Sequence, residues 1–353
     1  MRGTGKGDAM GGTAKRSAAK IIGFGEVLLR LAAPAPSLLL QESRMEASFC
    51  GAEANVMVAL SGFGHQCLMI TAVPDNPVGL AAVRTLNSFG VPVCGPRLAD
   101  SRLGLFFLQP GAMVRPSVIV YDRAGSAFAT VAADQYDWPG LLAGADWLFV
   151  SGITAALGDQ ALAALRAAIA AAREMGVKIA FDTNFRPSLW RGREALAADL
   201  LFQLSCEANL LFAGRRAIAM MTGGTFGNDD PADGFLAAAN TMFAAAPRLT
   251  HVAATRRTVQ STDRQDIVGL VADRNGVSAT PAIKLENIVD RVGTGDAFAA
   301  GVVHGLCHGM VRDEIAAFAA ACSQWGHSVP GDFLRASLAD IDAMTRGGGD
   351  VSR

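Results

Sequence analysis

The sequence predicts an α/β fold in which helices cover both faces of a mostly parallel central sheet. Short, continuously apolar strand-like runs alternate with alanine-rich helical stretches over most of the chain. Strands of that kind are typical of parallel sheets that are buried from both sides. Two further segments have strand-type sequence with no helix between their strands, and they predict a small additional β structure. The 353 residues suffice for one large domain or two smaller ones.

The predicted elements alternate along the chain. The predicted strands are Lys20–Gly25, Cys67–Val73, Asp146–Ser151, Lys178–Thr183, Ala208–Ala213 and His251–Thr255, followed by a hairpin region rich in Val and Ile that extends to Val289. The predicted helices are Ala52–Phe63, Pro77–Phe89, Asp159–Met175, Asp296–His308 and Asp313–Gly326. Gly90 and Gly176 follow two of these helices, and glycine is the residue that most readily ends a helix.

The segments Leu28–Phe49 and Leu103–Asp122 interrupt this alternation. The second contains the apolar run LGLFFL and then, after a Gly/Pro turn, the segment Pro116–Tyr121. We interpret residues of about 28–49 and 103–122 as a small β lid that projects from the main sheet, with ordinary edge strands as the alternative. A lid would exclude water from a reaction site.

Composition limits the class of protein. Half of the residues are apolar, 18% are charged and the net charge is −1, which gives no support for nucleic acid as a partner. No apolar run reaches the roughly 18–20 residues that a membrane span needs. Residues 1–19 lack the apolar core of a secretory signal and are predicted to be a flexible leader before a folded domain at 20–350. Scattered cysteines without a Cys-x-x-Cys motif indicate reduced thiols and a cytoplasmic protein.

One pair of histidines has the spacing of a metal site. His304 and His308 are four residues apart, but position 305 is glycine, so the glutamate of a His-Glu-x-x-His motif is missing. The sequence therefore favours ordinary helix residues at both positions.

A glycine-rich turn carries the strongest chemical signal. A β-type run from Pro281 to Val289 leads into the sequence DRVGTGDAFAAG, in which two glycines precede a helix of small residues. Unpaired N–H groups and the helix dipole make such a helix start an anion site. Asp296 lies within it, where a carboxylate can take a proton from a hydroxyl that attacks a phosphate. On this stretch alone, the alternative is that Asp296 caps the helix.

This turn closely resembles the C-terminal signature of the PfkB (ribokinase-like) carbohydrate kinases. The resemblance implies a ribokinase-like fold, ATP and Mg²⁺ as cofactors, and Asp296 as the catalytic base. It also implies that the N–H groups of Gly293, Thr294 and Gly295 stabilise the transferring phosphoryl group. The commoner family form is Gly-Ala-Gly-Asp, and Thr294 departs from it while both glycines remain.

A second segment, Cys50–Leu60, resembles the first PfkB signature. Cys50 replaces the usual first glycine, and Asn55 follows Gly51 by one helical turn. The resemblance implies that Gly51 and Asn55 contact sugar hydroxyls. A satisfied asparagine at a close-packed helix start is the structural alternative.

Further motifs are similar to the 2-keto-3-deoxygluconate kinase branch of the family. They are Ser-Gly-Ile-Thr at 151–154, the segment Tyr121–Ala127, and the Asp-x-Asn-x-Arg pattern that begins at Asp182. Polar residues at the carboxyl ends of strands are where open α/β sheets bind ligands. A sugar acid needs a cation for its carboxylate, which arginine supplies well. Arg123 and Arg186 are therefore the candidates, with Phe106 and Tyr121 as further substrate-binding candidates.

The nucleotide is expected along the same groove. The resemblance implies contacts from Asn184, Thr255, Arg257, Gly295 and His327. The Asn-x-x-Glu motif that supports magnesium in many members is absent from residues 212–217, which contain no acid. Asp182 is then the candidate metal ligand, and a monovalent cation is a further candidate cofactor.

Together these features predict an ATP-dependent kinase that phosphorylates 2-keto-3-deoxygluconate at its terminal 6-hydroxyl. The partners are then a sugar acid and ATP, without nucleic acid or membrane, and a homodimer could form through the lid. The alternatives are another PfkB sugar kinase, such as a fructokinase or ribokinase, and a catalytically silent relative that binds sugar or nucleotide.

Overall fold

A computed structural model describes residues 18–227 and 230–346. Most of the predicted leader and the last residues of the predicted domain lie outside this range. The strands are β1 Lys20–Phe24, β2 Leu28–Ala32, β3 Glu46–Cys50, β4 Gln66–Ile70, β5 Val73–Pro74, β6 Val93–Cys94, β7 Arg97–Leu98, β8 Gly104–Gln109, β9 Val118–Asp122, β10 Trp147–Ser151, β11 Lys178–Asp182, β12 Leu210–Phe212, β13 His251–Val259, β14 Gln265–Asp273, β15 Gly276–Ala279 and β16 Ile283–Leu285.

The helices lie between these strands and after the last of them. They are α1 Ala52–Gly62, α2 Pro77–Ser88, α3 Ala127–Thr130, α4 Trp138–Leu142, α5 Gly152–Ala156, α6 Asp159–Glu174, α7 Glu194–Cys206, α8 Arg215–Thr222, α9 Pro231–Ala245, α10 Thr294–His308, α11 Arg312–Gly326 and α12 Leu338–Thr345.

The central sheet has ten strands. Its order is β15-β14-β13-β12-β11-β10-β1-β4-β6, with β16 paired to β14. Pairing is parallel from β6 to β13 and antiparallel among β13, β14, β15 and β16. The predicted α/β fold with a mostly parallel sheet is confirmed.

Alternation along the central strands separates two cores. In β10, Leu148 and Val150 belong to the core on one face of the sheet, whereas Trp147 and Phe149 belong to the other. The first core is covered by helices such as α6 and α9, and the second by α1, α10 and α11. This two-sided burial explains why the strands are apolar without interruption.

The two predicted lid segments form a separate four-stranded sheet, which we call the lid sheet. Its order is β3-β2-β8-β9, so strands from 28–50 lie beside strands from 104–122. Leu28, Ala32, Cys50, Phe106 and Leu108 form its own small core. The sheet is not part of the ten-stranded one, which removes the alternative of ordinary edge strands within the described residues.

Several predicted bounds differ from the structure. Strand β13 continues to Val259, because residues 255–259 pair with β14 in a long antiparallel ladder. Of the predicted β run from Pro281 to Val289, only Ile283–Leu285 forms a strand, and Asn287 has a φ of 57°. The helices that the sequence does not predict are α3, α4, α5, α7, α8, α9 and α12. In the part of the chain that the structure describes, no helix has both the length and the apolar character required to cross a membrane.

Candidate active site

The glycine-rich turn begins with a residue that must be glycine. Gly293 has a φ of 78°, in the left-handed region, and a Cβ at this position would collide with the backbone carbonyl of Asp332. The first hydrogen bond of α10 runs from the N–H of Ala297 to the carbonyl of Gly293, at 2.9 Å. Both the turn and the direction of α10 are therefore fixed by this one position.

The N–H groups at the start of α10 have no acceptor among the described residues. None of the hydrogen bonds there uses the N–H of Gly293, Thr294, Gly295 or Asp296. Gly295 is exposed, and a Cβ built on it would meet nothing within 4 Å. The turn thus presents free donors to open space, as an anion site requires.

Asp296 is held by a residue of the other signature segment. Its Oδ2 accepts a hydrogen bond from Nδ2 of Asn55 at 2.6 Å. Oδ1 of Asn55 accepts the N–H of Gly51 at 3.3 Å, which fixes the orientation of the amide. The side chain of Asn55, predicted to contact substrate, thus has two partners within the protein. Asp296 lies in the first turn of α10 and is not its N-cap, which is Gly293.

Three carboxyl groups gather around this point. Burial is the main cause that raises the pKa of Asp296 well above its usual range, and the charges of Asp182 and Glu53 add to it. The Asn55 hydrogen bond and the charge of Arg186 act in the opposite direction. Burial also raises the pKa of Asp182 to about 6 and that of Glu53 to about 7. A carboxylate with a raised pKa is suited to general-base catalysis near neutral pH.

A cleft of about 580 Å³ opens beside the start of α10. Its walls come from the carboxyl ends of β11 and β12, the middle of β13 and the start of α10, as expected for an open α/β sheet. The polar and glycine residues that line it are Asp182, Thr183, Asn184, Arg186, Gly214, Arg216, Thr255, Arg257, Gly295 and Asp296. The predicted residues Asp182, Asn184, Arg186, Thr255, Arg257, Gly295 and Asp296 are thereby brought together.

The cleft is lined by three arginines and two aspartates, so basic side chains are in excess. Arg186, Arg216 and Arg257 line it, and in the described residues none of the three forms a salt bridge. Burial lowers the pKa of Arg257, and repulsion from Arg291 and Arg186 lowers it further. Unpaired, mutually repelling guanidinium groups beside free N–H donors fit a polyphosphate. Arg216 occupies the segment that lacks the Asn-x-x-Glu acid.

Asp182 and Asn184 are arranged by a tight turn at the end of β11. The N–H of Asn184 donates to Oδ1 of Asp182 at 2.9 Å, and Asn184 has a φ of 40°. This Asx-type turn points the Asp182 carboxylate into the cleft. Carboxylate oxygens are the ligands that Mg²⁺ takes, so the donor set fits a magnesium ion that enters with a nucleotide.

Arg123 and Arg186 occupy different environments. Arg123 is buried, and its Nε donates to Oε2 of Glu26 at 2.6 Å. Oε1 of the same carboxylate accepts the hydroxyl of Ser126. Arg123 therefore already has a charge partner, whereas Arg186 faces the cleft. Sequence reasoning missed Glu26, because nothing in a local motif indicates which distant acid will pair with an arginine.

The remaining predicted substrate residues do not line this cleft. Phe106 is buried in the lid sheet, with the guanidinium of Arg30 6.0 Å from its ring centre. Tyr121 lies opposite it on β9, beside Arg123. A Cβ on Gly51 would collide with the carbonyl oxygen of Glu26, so glycine allows α1 to begin against the connection between β1 and β2.

His327, which was predicted to contact the nucleotide, lies outside the cleft. The side chain is buried, Nδ1 lies 2.7 Å from the carbonyl oxygen of Ser323, and Nε2 contacts the amide of Gln265. Both ring nitrogens are thus used within the protein, and the residue is not among those that line the cleft. Burial lowers its pKa to about 4.

A buried ion network ties the lid sheet to the glycine-rich turn. Arg30 of β2 donates to Asp332 and, at 2.7 Å, to Oδ2 of Asp290. Oδ1 of Asp290 accepts the N–H groups of Arg291 and Val292, which begin the turn. Sequence reasoning missed Arg30, since its partners are 260 and 302 residues away.

Comparisons with known proteins identify the family of this chain. The model of the pfkB family carbohydrate kinases matches residues 18–332. The 2-dehydro-3-deoxygalactonokinase of Haloferax volcanii is 28% identical over 330 residues, which cover 94% of this chain and 98% of that one. The crystal structure of 2-dehydro-3-deoxygluconokinase from Thermotoga maritima superimposes with a TM-score of 0.88 at 31% identity, covering 94% and 99% of the two chains.

A second crystal structure is also similar to this chain. A crystal structure of a PfkB family carbohydrate kinase from Listeria grayi has a TM-score of 0.87 and 31% identity, over 93% of this chain and 99% of that one. The protein belongs to the PfkB family of carbohydrate kinases. It is a sugar kinase, and family membership implies that it binds ATP.

Proposed function

We propose that this sugar kinase transfers the γ-phosphoryl group of ATP to the terminal 6-hydroxyl of 2-keto-3-deoxygluconate. The observation that carries the proposal is the placement of Asp296, which has a raised pKa, is held by Asn55 and lies beside N–H groups without acceptors. The 2-keto-3-deoxy acid is proposed because the similar proteins from Haloferax volcanii and Thermotoga maritima are both named as kinases of such acids.

In the proposed reaction, Asp296 takes the proton of the attacking hydroxyl. A bond forms between that oxygen and the γ-phosphorus, while the bond from this phosphorus to the bridging oxygen breaks. ADP leaves with the electron pair of the broken bond, and the proton remains on Asp296 until it passes to solvent. The N–H groups of Gly293, Thr294 and Gly295 stabilise the charge on the transferring group.

The cationic cleft is the proposed nucleotide site. Arg216 and Arg257 offset the phosphate charge, and Thr255 and Asn184 supply polar contacts along the same wall. Magnesium neutralises charge on the phosphates when it binds with the nucleotide, and Asp182 is the carboxylate we propose to hold it. A monovalent cation is a further proposed cofactor, and the dependence of the rate on K⁺ tests it.

For the acid group of the substrate, we propose Arg186 as the main partner. It faces the cleft without an ion pair, whereas Arg123 is already neutralised by Glu26. Arg123 then acts by shaping the pocket together with Tyr121, whose ring lies 5.8 Å from its guanidinium carbon. Gly51 and Phe106 are proposed to close the sugar side of the site.

A second candidate substrate is the C4 epimer, 2-keto-3-deoxygalactonate, because the Haloferax volcanii relative is a 2-dehydro-3-deoxygalactonokinase. An ADP-release assay with both epimers, fructose and ribose tests the choice, and NMR of the product locates the phosphate. Faster turnover of fructose or ribose would favour a fructokinase or ribokinase. ATP binding without ADP release on any substrate would favour a silent relative.

We also propose that the protein is a cytoplasmic homodimer joined through the lid sheet. Strand β9 lies at the edge of that sheet, and Val118, Ile119 and Val120 are all exposed. The six cysteines are free, as in a reducing compartment.

A further inference from the structure

Three of the five histidines meet at the end of α10 that lies farthest from Asp296. His304 and His308 lie on the last turns of this helix, and His65 comes from the connection between α1 and β4. The sequence favoured ordinary helix residues for the pair on α10. The structure adds the third histidine, which is 239 residues away from His304 in the chain.

The ring nitrogens are close enough to share one ion. Nε2 of His65 is 3.0 Å from Nδ1 of His304, and one nitrogen of each of the three rings lies within 4.8 Å of the others. Zinc–nitrogen bonds of about 2.0–2.1 Å in a tetrahedral site place two ligand nitrogens about 3.3 Å apart. The His65–His304 separation therefore needs to open only slightly. The partly exposed His308 has room to turn towards the other two.

Proton positions favour His308 as a ligand. Its Nδ1 lies 3.0 Å from the carbonyl oxygen of His304, so Nδ1 carries the proton and Nε2 keeps its lone pair. A histidine ligand that donates its other N–H to a backbone carbonyl is the usual arrangement in metal sites. For His65 to bind a metal through Nε2, its Nδ1 must carry the proton. The ring must then turn away from the N–H of Ala19, which donates to Nδ1 at 3.3 Å in this structure.

One side of the histidine cluster is apolar. The rings of Phe63 and Phe318 pack on His304, with centroids 5.2 and 5.0 Å away. Aromatic rings therefore cover one side of the cluster, whereas His308 on the other side is partly exposed. We expect a water molecule to be the fourth ligand on that exposed side.

We propose that His65, His304 and His308 form a binding site for one divalent transition-metal ion, such as Zn²⁺, separate from the kinase site. Imidazole nitrogens suit zinc, copper, nickel and iron rather than magnesium. His304 follows Asp296 by eight residues on α10, which corresponds to about 12 Å along the helix axis. A bound ion would clamp the end of α10 to the α1–β4 connection and stabilise the helix that carries the base.

The test is a metal titration of the full-length, untagged protein after treatment with a chelator, without nucleotide or magnesium. Zn²⁺ affinity is measured by competition with a chromophoric chelator, and Co²⁺ is used as a spectroscopic probe. We expect one site per chain, tetrahedral Co²⁺ bands, and a Tm that rises with added Zn²⁺. His308→Gln should weaken Zn²⁺ binding at least 100-fold and abolish both the bands and the rise in Tm.

His251→Gln is the matched control, because His251 lies at the start of β13 and is not part of the cluster. It should bind Zn²⁺ like the unmodified chain. His65→Gln provides a second ligand variant, and near-UV circular dichroism shows whether each variant is folded. Absence of stoichiometric binding, or equal affinity in His308→Gln, overturns the proposal. Loss of binding in Asp182→Asn alone also overturns it, since the ion would then lie in the cleft.

Discussion

Nδ2 of Asn55 donates to Oδ2 of Asp296 at 2.6 Å and so joins the starts of α1 and α10, which are 241 residues apart. This hydrogen bond favours the ionised form of Asp296 and lowers its pKa, against the larger effect of burial. Asn55→Ala removes it. The acidic limb of the kcat/KM–pH profile should then move to higher pH, because the base must be ionised to accept a proton.

The same variant should have a lower kcat at its own optimum pH. A hydrogen bond to a charged group is worth about 1.5–3 kcal/mol, so a fall of roughly 10- to 100-fold is expected. Asn55→Asp, which places a fourth carboxyl group nearby, should move the limb further in the same direction. An unchanged limb in both variants would show that Asn55 does not set the pKa of the base.

Asp296→Asn should reduce kcat by about 10²–10⁴-fold and at the same time stabilise the protein. The raised pKa of Asp296 means that its ionisation destabilises the folded state at neutral pH. This cost is fully present above the folded-state pKa and disappears as the pH falls below the usual value of 3.8. The Tm difference from the unmodified protein should therefore be positive at pH 8 and close to zero at pH 3. Full activity in this variant would exclude Asp296 as the base.

Arg186→Ala and Arg123→Ala should have different consequences. Arg186→Ala should raise KM for the sugar acid much more than for fructose. It should change Tm little, because the repulsion between Arg186 and Arg257 opposes the attraction of Arg186 to Asp182 and Asp296. Arg123→Ala should lower Tm, since it leaves the buried carboxylate of Glu26 without its cation. Thermal melts and KM values for both substrates separate the two effects. If Arg186→Ala raises KM equally for the sugar acid and for fructose, Arg186 contacts the nucleotide rather than the carboxylate of the substrate.

Arg30→Met should destabilise the protein by about 3–5 kcal/mol, because Asp290 and Asp332 would stay buried without a cation. Denaturant unfolding measures this. Arg264→Met is the control: it removes an exposed ion pair with Glu286, which is worth about 1 kcal/mol or less. Adding Asp332→Asn to Arg30→Met should restore part of the stability. Equal losses for Arg30→Met and Arg264→Met would contradict the structural role of the network.

Val120→Lys should dissociate the proposed dimer, because a charge would be placed on the exposed edge strand of the lid sheet. Leu196→Lys is the control, since Leu196 is equally exposed, at 48%, but lies on α7. Light scattering after size-exclusion chromatography gives the molar mass of each. If the unmodified protein has the molar mass of a monomer, the proposed dimer is ruled out.

The α/β class and the lid could be predicted because each rests on local patterns. Uninterrupted apolar strands such as β10 indicate burial on both faces, and their alternation with helices indicates parallel pairing. Helix α9 could also have been predicted, since Asp230 and Pro231 are typical of an N-cap and first helical position. Helix α7 is harder, because its apolar residues are spread widely around the helix.

The site could be predicted in parts but not as an assembly. Asn55 and Asp296 were each identified within a motif, yet the hydrogen bond between them depends on how α1 and α10 pack. Arg123 and Arg186 looked alike in the sequence, and only tertiary structure shows that Glu26 neutralises one of them. His65 has no local feature that connects it to His304. Long-range partners of this kind are set by topology, which a single sequence does not encode in its local patterns.

The three cleft arginines belong to a chain whose net charge is only −1. The molecule as a whole therefore exerts little long-range pull on an anion. The positive potential is confined to the cleft, and at physiological ionic strength it decays over about 8 Å. The rate at which the nucleotide reaches the cleft should then be set by diffusion, and the arginines should attract it only once it is close to the cleft. Added salt should weaken nucleotide affinity mainly through faster dissociation, with the association rate changing little.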